Sequence, residues 1–344
     1  MKDQTVASPD ILERLAVVMA HPDDEILWAA SVLREAERIV VVFGELQCNQ
    51  PLTEGRRAAM AAFPLQTLDW YAMIESGISD SASWPNPKET AYGLYPHRAL
   101  RHLPSFDARR YRAQFAELQG RLRVSLAGMK NVIVHSPWGE YGHEDHVQVF
   151  RAVAGLAGEM GFRVWVPGYM AHKTEALMHR NLRFLGRPTP PMPVDAALAE
   201  EISQVYKRTD TWTWFDNYVW PEFERFLPWY PEGAPEGGVA TAADIQPIVF
   251  PKVDASTHPW KRNWKRDVMR SFLSRLNGLR AGLGRGSGKT VNEDGPEVRL
   301  LRMGARTGRQ QCHGLGDGRR LPGCCAQFVP ASCGAGSRRS GCPA

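Results

Sequence analysis

Along the first two hundred residues, continuous apolar runs of strand length alternate with segments of helical composition. Leu15–Ala20 (LAVVMA) and Arg38–Phe43 (RIVVVF) are two such runs, and the Ala-, Leu- and Glu-rich stretch 26–37 lies between them. Strand, helix, strand at this spacing predicts a βαβ unit and therefore a parallel sheet. The alternation continues with a helical pattern from Asp107 to about Leu126, a strand at Asn131–His135 (NVIVH), a helix at 146–160, a strand at 162–166 (FRVWV) and a helix at 196–208. Alternating strands and helices predict a doubly wound α/β sandwich.

The pattern breaks in four places. Residues 76–104 are rich in Ser, Pro, Trp and Tyr and read as a long loop over the sheet edge, a kind of loop that is often functional. Residues 211–230 (TWTWFDNYVWPEFERFLPWY) are dense in aromatics and read mainly as the packing of a small C-terminal lobe. The Pro/Gly-rich 231–238 marks a boundary. From 266 to 283, Val268, Met269, Phe272, Leu273, Leu276, Leu279 and Leu283 occupy one broad helical face, while Arg266, Asp267, Arg270, Ser271, Ser274 and Asn277 fall mostly opposite. The expected organisation is a body at 1–235, a linker at 236–260, a basic amphipathic helix at 261–284 and a Gly/Arg/Cys-rich tail at 285–344. The tail's composition cannot offset chain entropy, so disorder is expected there.

Charge sharpens that division. Residues 1–260 carry 25 Lys+Arg against 32 Asp+Glu, whereas residues 261–344 carry 17 against 5. A mildly acidic body argues against nucleic acid as its partner, and the basic end suits an anionic surface such as a membrane. Cys48 is the one cysteine of the body; Cys312, Cys324, Cys325, Cys333 and Cys342 all lie in the tail. The body therefore has no disulfide framework, which fits a reducing compartment. The apolar run at 15–20 is too short for a signal-peptide core, and no stretch approaches a membrane span, so a cytoplasmic protein is expected, with peripheral attachment at a membrane surface as an option.

Two clusters carry candidate chemistry. His21-Pro22-Asp23-Asp24-Glu25 follows the first strand directly, where open α/β sheets bind their ligands. Around a strand end turning into a helix, the spacing of His21 and Asp24 can aim imidazole and carboxylate at one ion, leaving Asp23 for proton transfer. Helix capping accounts for one carboxylate but not for three acids with a histidine. The second cluster, Gly142-His143-Glu144-Asp145-His146, follows the strand at 131–135 and a Pro/Gly turn (SPWGEY). His143 and His146 are three apart and share a face of the first helical turn. Two strand-end clusters in one sheet read better as one metal site than as two sets of caps. Two histidines and one aspartate would leave a zinc position open for water, the catalytic arrangement.

The motifs MAHPDDE and HSPWGEYGHEDHVQV together closely resemble those of the LmbE-like (PIG-L) de-N-acetylases, over roughly residues 12–230. The resemblance implies a Rossmann-like three-layer fold and Zn2+ as the usual ion, with another divalent ion as an option. It also implies His21, Asp24 and His146 as ligands, Asp23 as general base, and His143 as the group that stabilises the oxyanion or protonates the leaving amine. The implied activity is removal of an acetyl group from an N-acetylated sugar: a glycolipid, nucleotide sugar or polysaccharide precursor. Arg56 or Arg57 would hold phosphate or sugar hydroxyls, a solvated helix face being the competing reading. Glu140 and Tyr141 are close enough to His143 in sequence to reach substrate. An amidase acting on a non-sugar or thiol-conjugate amide, and a metal-containing glycan-binding protein without catalysis, remain as alternatives. The 266–283 face either packs on the body or, with Trp260, Trp264, Lys261, Arg262 and Lys265, lies on an anionic membrane near a lipid-linked sugar.

Overall fold

A computed structural model of the chain describes residues 11–47, 49–96 and 107–248. Six strands build its central sheet: β1 (Leu15–Met19), β2 (Arg38–Glu45), β3 (Leu68–Ile74), β4 (Asn131–Val134), β5 (Arg163–Pro167) and β6 (Phe226–Trp229). Their order is β3-β2-β1-β4-β5-β6, and every pairing is parallel except that of β6 with β5. Strand order reverses between β1 and β4. Side chains alternate across the sheet and both faces are covered, which is why the strands read as unbroken apolar runs. Ala16, Val18, Val40, Val42, Val132 and Val134 join one core with residues of α3 (Ala108–Ser125), α4 (Glu144–Met160) and α5 (Glu175–Asn181). Leu15, Val17, Met19, Ile39, Val41 and Ile133 join the other with residues of α1 (Asp24–Trp28), α2 (Gln50–Ala61) and α6 (Ala196–Arg208). All twelve strand residues are fully buried, each Val, Leu or Ile stabilising the fold by roughly 1.5–3 kcal/mol relative to exposure. The result is the expected α/β three-layer sandwich around a mostly parallel sheet.

Helix starts follow their caps. Asn49, Asp107 and Asp195 each accept from backbone amides of the first turn of α2, α3 and α6, satisfying donors that have no partner within the helix.

Four expectations need correction. The helix expected over 26–37 is the five-residue α1, followed by turns. The amide of Ser31 donates to the Glu224 carboxylate at 2.8 Å, which takes it out of the helical ladder. β3 was not anticipated, because LDWYAMI at the sheet edge is only half-buried and mixes polar with apolar residues. The aromatic segment 211–230 is no separate lobe: Phe226 and Leu227 are fully buried in β6, which closes the sheet against β5. Nor is 236–248 a free linker, since Ala240 and Ile245 are buried and Gln246–Pro247 pairs in parallel with Tyr169–Met170.

The described part of the 76–104 loop is tied down. Glu144 accepts from the amides of Asp80 and Ala82 at 3.0 and 2.7 Å. The amphipathic pattern at 261–284, its neighbours Trp260 and Trp264, the tail and its cysteines lie outside the described residues. Among the described residues no helix is long and apolar enough to cross a membrane.

Candidate active site

The loops leaving the carboxyl ends of β1 and β4 meet at the point where strand order reverses, the position where open α/β sheets form their ligand crevice. The β1–α1 loop contributes His21, Asp23 and Asp24, all buried. Asp24 Oδ1 accepts from the Trp28 indole at 3.1 Å, one turn along α1. Its Oδ2 lies 3.2 Å from His21 Nδ1 and 3.2 Å from His146 Nε2. Asp23 directs its carboxylate elsewhere, with Oδ2 accepting from both the amide and the hydroxyl of Thr213 at 3.1 and 2.6 Å. Its φ is 93°, in the left-handed region that costs a non-glycine residue energy and is found where surrounding structure enforces it.

The β4–α4 loop supplies the other half. Gly139, Glu140 and Gly142 all have positive φ. A Cβ on Gly139 would lie 2.8 Å from the His143 carbonyl oxygen, so the close approach of this turn to the start of α4 requires glycine. The turn buries the Glu140 side chain completely. Its Oε2 accepts from His135 Nδ1 at 3.0 Å and from His146 Nδ1 at 2.7 Å, and its Oε1 accepts from the amide of Ser136. His143 caps α4, its Nδ1 accepting from the Asp145 amide at 3.2 Å, so the hydrogen of its neutral ring sits on Nε2.

These hydrogen bonds test whether a cation fits. Glu140 accepts from Nδ1 of His146, so in the neutral ring the lone pair lies on Nε2. That atom is buried and makes no hydrogen bond, although the Asp24 carboxylate is 3.2 Å away. In a neutral ring that atom would set a lone pair against a carboxylate oxygen, an arrangement that calls for positive charge between or beside them. Donor atoms of His21, His143 and His146 lie within 4.8 Å of one another, as do those of Asp24, His135 and His146. His135 Nε2 is engaged, accepting from the Ala20 amide at 2.8 Å.

The electrostatics agree. Burial opposes charge on His21, yet Glu75, Asp145 and Asp24 raise its pKa to about 10. Burial works against the Asp24 carboxylate too, but His146, His135 and His21 hold its pKa well below the usual range. The cluster thus draws positive charge to the place where these atoms converge. Asp23 differs: burial and then the charge of Asp24 raise its pKa to about 7 against the two Thr213 hydrogen bonds. Burial, then His21 and His146, push His143 well below the usual histidine range.

The structure therefore brings His21, Asp23, Asp24, His143 and His146 together. Tyr141 joins them, its ring edge-on to His146 with centroids 5.1 Å apart and 5.2 Å from Trp214. Glu140 departs from its expected place: it sits behind His146 and is committed to two imidazoles. Arg56 is buried and paired with Glu75, whose carboxylate lies 3.9 Å from His21 Nε2. Arg57 is half-exposed and paired with Glu45. His143, with Nδ1 accepting from the Asp145 amide, presents Nε2 as its donor. Sequence reasoning missed His135, Glu75, Thr213 and the role of Asp145, whose Oδ2 lies 3.3 Å from His21 Nε2. His135 directly follows β4 as His21 closely follows β1, a parallel that the sequence does display.

A scan of the sequence against protein-family models gives no match, and a search of curated proteins gives none. Among solved structures, the chain superposes in part on a deacetylase of teicoplanin biosynthesis in complex with teicoplanin, at 12% identity and TM-score 0.41, covering 63% of this chain and 97% of that one. It superposes likewise on the A40926 pseudoaglycone deacetylase, at 13% identity and TM-score 0.41, covering 64% and 99%. A conserved protein from Thermus thermophilus follows at 15% identity and TM-score 0.29, covering 71% and 100%.

Proposed function

We propose that the chain is a hydrolase that removes the acetyl group from the nitrogen of an N-acetylated sugar, with one divalent ion, zinc, held by His21, Asp24 and His146. The observation that carries this reading is the unpartnered His146 Nε2 facing Asp24 Oδ2, beside a second carboxylate, Asp23, that is held apart from the cluster. Two histidines and a carboxylate are a catalytic rather than a structural zinc set. Bound there, the ion would polarise the acetyl carbonyl and lower the pKa of water toward ~7.

Asp23 takes the proton of the attacking water, and a carboxylate raised to about 7 is matched to that task near neutral pH. Thr213 occupies its Oδ2, leaving Oδ1 to accept. The Nε2–H of His143 donates to the oxygen that gains negative charge as the carbonyl carbon becomes tetrahedral. When the C–N bond breaks, the proton held by Asp23 passes to the departing nitrogen, so acetate and a free amine are formed from amide and water. The choice of an N-acetylated sugar rests on the two sequence motifs. Tyr141 and Trp214 supply aromatic surface beside the histidines on which a sugar ring could lie.

Elemental analysis of the purified protein tests the metal. About one ion per chain is expected in the native protein, and His146→Ala should lose it; full metal content in that variant would overturn the ligand assignment. Acetate release from N-acetylglucosamine-type glycolipids, nucleotide sugars and polysaccharide tests the substrate. Release from non-sugar amides alone would move the reading to an amidase.

A further inference from the structure

The segment from the end of α6 to Glu224 reaches back to the β1–α1 loop, α1 and the turn after it at four points. Tyr206 donates its hydroxyl to Glu25 Oε1 at 2.6 Å, and Glu25 Oε2 in turn accepts from the Asp23 amide at 3.1 Å. Trp220 Nε1 donates to the Ile26 carbonyl at 2.9 Å, and Glu224 accepts from the Ser31 amide. The Trp220 and Glu224 ties fix backbone directly, and the Tyr206 tie does so through the Glu25 side chain. The fourth, from Thr213, alone holds a side chain that the chemistry would use.

The strap reaches Asp23 through a built path. After α6 the chain turns through Asp210 at φ 56°, and the amides of Thr211 and Trp212 both donate to the Tyr206 carbonyl at 2.9 and 3.2 Å. The hydroxyls of Thr209 and Thr211 bond each other at 2.9 Å. α2 lies directly against this turn: a Cβ on Gly55 would meet the Thr209 carbonyl oxygen at 2.4 Å and Thr211 Cγ2 at 2.8 Å. Glycine at position 55 thus lets the turn sit close enough for Thr213 to reach the β1–α1 loop.

Asp23 has two reasons to move. Its left-handed φ is costly, and a short carboxylate side chain has several staggered positions available. Two donors on one oxygen remove that freedom. We infer that Thr213 is a positioning residue: its amide and hydroxyl clamp Oδ2 of Asp23 in one orientation, so that Oδ1 alone is presented to the water. This rests on Asp23 being the general base. Orientation of a reacting group is worth rate rather than affinity when the substrate does not touch the orienting residue.

Three full-length variants test the clamp in metal-loaded protein. Thr213→Val keeps shape and the amide donor but loses the hydroxyl. Its kcat should fall about 10–100-fold, the worth of one hydrogen bond to a charged group, with KM and metal content unchanged. Thr213→Ser should recover kcat to within about threefold. A double-mutant cycle on thermal unfolding gives a readout independent of turnover. Thr213→Val should lower the melting temperature in the native background and by much less when Asp23→Ala has removed the acceptor. Native kcat in the Val variant, an equal loss in the Ser variant, or equal melting shifts in both backgrounds would each overturn the clamp. If Thr213→Val fails to fold, Thr213→Ala in the same cycle replaces it. A native protein that releases no acetate while the cycle still shows coupling would overturn the general-base reading instead.

Discussion

The two loops that make the site are held in opposite ways. In the β4–α4 loop the functional side chains are supported from within: Glu140 binds His135 five residues before it, His146 six residues after it and the amide of Ser136 four before it. In the β1–α1 loop, along α1 and in the turn after it, local bonds are joined by support from far along the chain. His21 meets Asp145 at a separation of 124 residues, Glu25 meets Tyr206 at 181, Asp23 meets Thr213 at 190 and Ser31 meets Glu224 at 193. One loop orients its histidine through its own carboxylate, whereas the other adds to its local bonds side-chain ties from the completed fold. The proposed ligand set draws on both loops, His21 and Asp24 beside β1 and His146 at the start of α4, whereas the side chain held by Thr213 is the proposed proton-transfer group. Damage to the distant segment should therefore reach chemistry before it reaches metal.

The largest effect is expected at the remotely held group. Asp23→Asn keeps the shape of the side chain and can still accept from Thr213, but cannot take a proton. Its kcat should fall by roughly 10²–10⁴, the usual worth of general acid–base help, while metal content stays at the native level. Retained turnover would remove the proton-transfer role from Asp23. Loss of metal in step with activity would make Asp23 part of the ligand set and erase the difference between the loops.

The remote support also has a pH signature. Burial raises the pKa of Glu224 from 4.5 to about 7, against the hydrogen bonds from the Ser31 and Ala30 amides. A carboxyl whose folded pKa lies above its unfolded one binds protons more tightly when folded. Its contribution is fully present below pH 4.5 and is lost as pH rises through 7. Glu224→Gln keeps an acceptor for the amides and removes the titration. Relative to native protein, the variant should therefore gain stability between pH 5 and 8, approaching about 3 kcal/mol at the upper end. Urea unfolding of both proteins across that range measures it. Parallel curves would mean that Glu224 titrates normally and that its tie to Ser31 carries no buried charge.

The same contrast explains what could be read in the sequence. The sandwich was legible because β1, β2, β4 and β5 are apolar on both faces and their helices repeat at helical spacing. β3 was not, since an edge strand such as LDWYAMI is covered on one side only. Likewise His21, Asp23, Asp24, His143 and His146 lie in two short motifs, each beginning where a strand ends. Glu140 was within sight of them, but its side chain could point to substrate or into the loop. Three positive-φ residues in four positions turn it inward, and no periodicity reports that. Thr213 had no local signal at all. Its segment was read by its aromatic content, and only the turn after α6 brings position 213 to the β1–α1 loop.

The smallest of these effects should come from the local scaffold. Glu140→Gln leaves the turn nearly isosteric, but an amide offers one accepting oxygen where the carboxylate gave two. Either His146 Nδ1 or the Ser136 amide must then face an NH2 group. The charge that stabilises the Nδ1–H tautomer of His146 is also removed. Partners of this kind orient a ligand imidazole and raise its basicity, and their loss typically costs about 10–100-fold in metal affinity. Chelator competition on native and Glu140→Gln proteins should show that loss, while metal restored in excess returns most of kcat. That recovery separates Glu140 from Asp23, whose substitution no excess of metal can repair. If Glu140→Gln instead bound metal as tightly as the native protein, His146 would be oriented by packing alone. Its ring already stacks on His135 with centroids 3.7 Å apart, so the self-supporting loop would then owe its geometry to the stack and the turn rather than to the carboxylate.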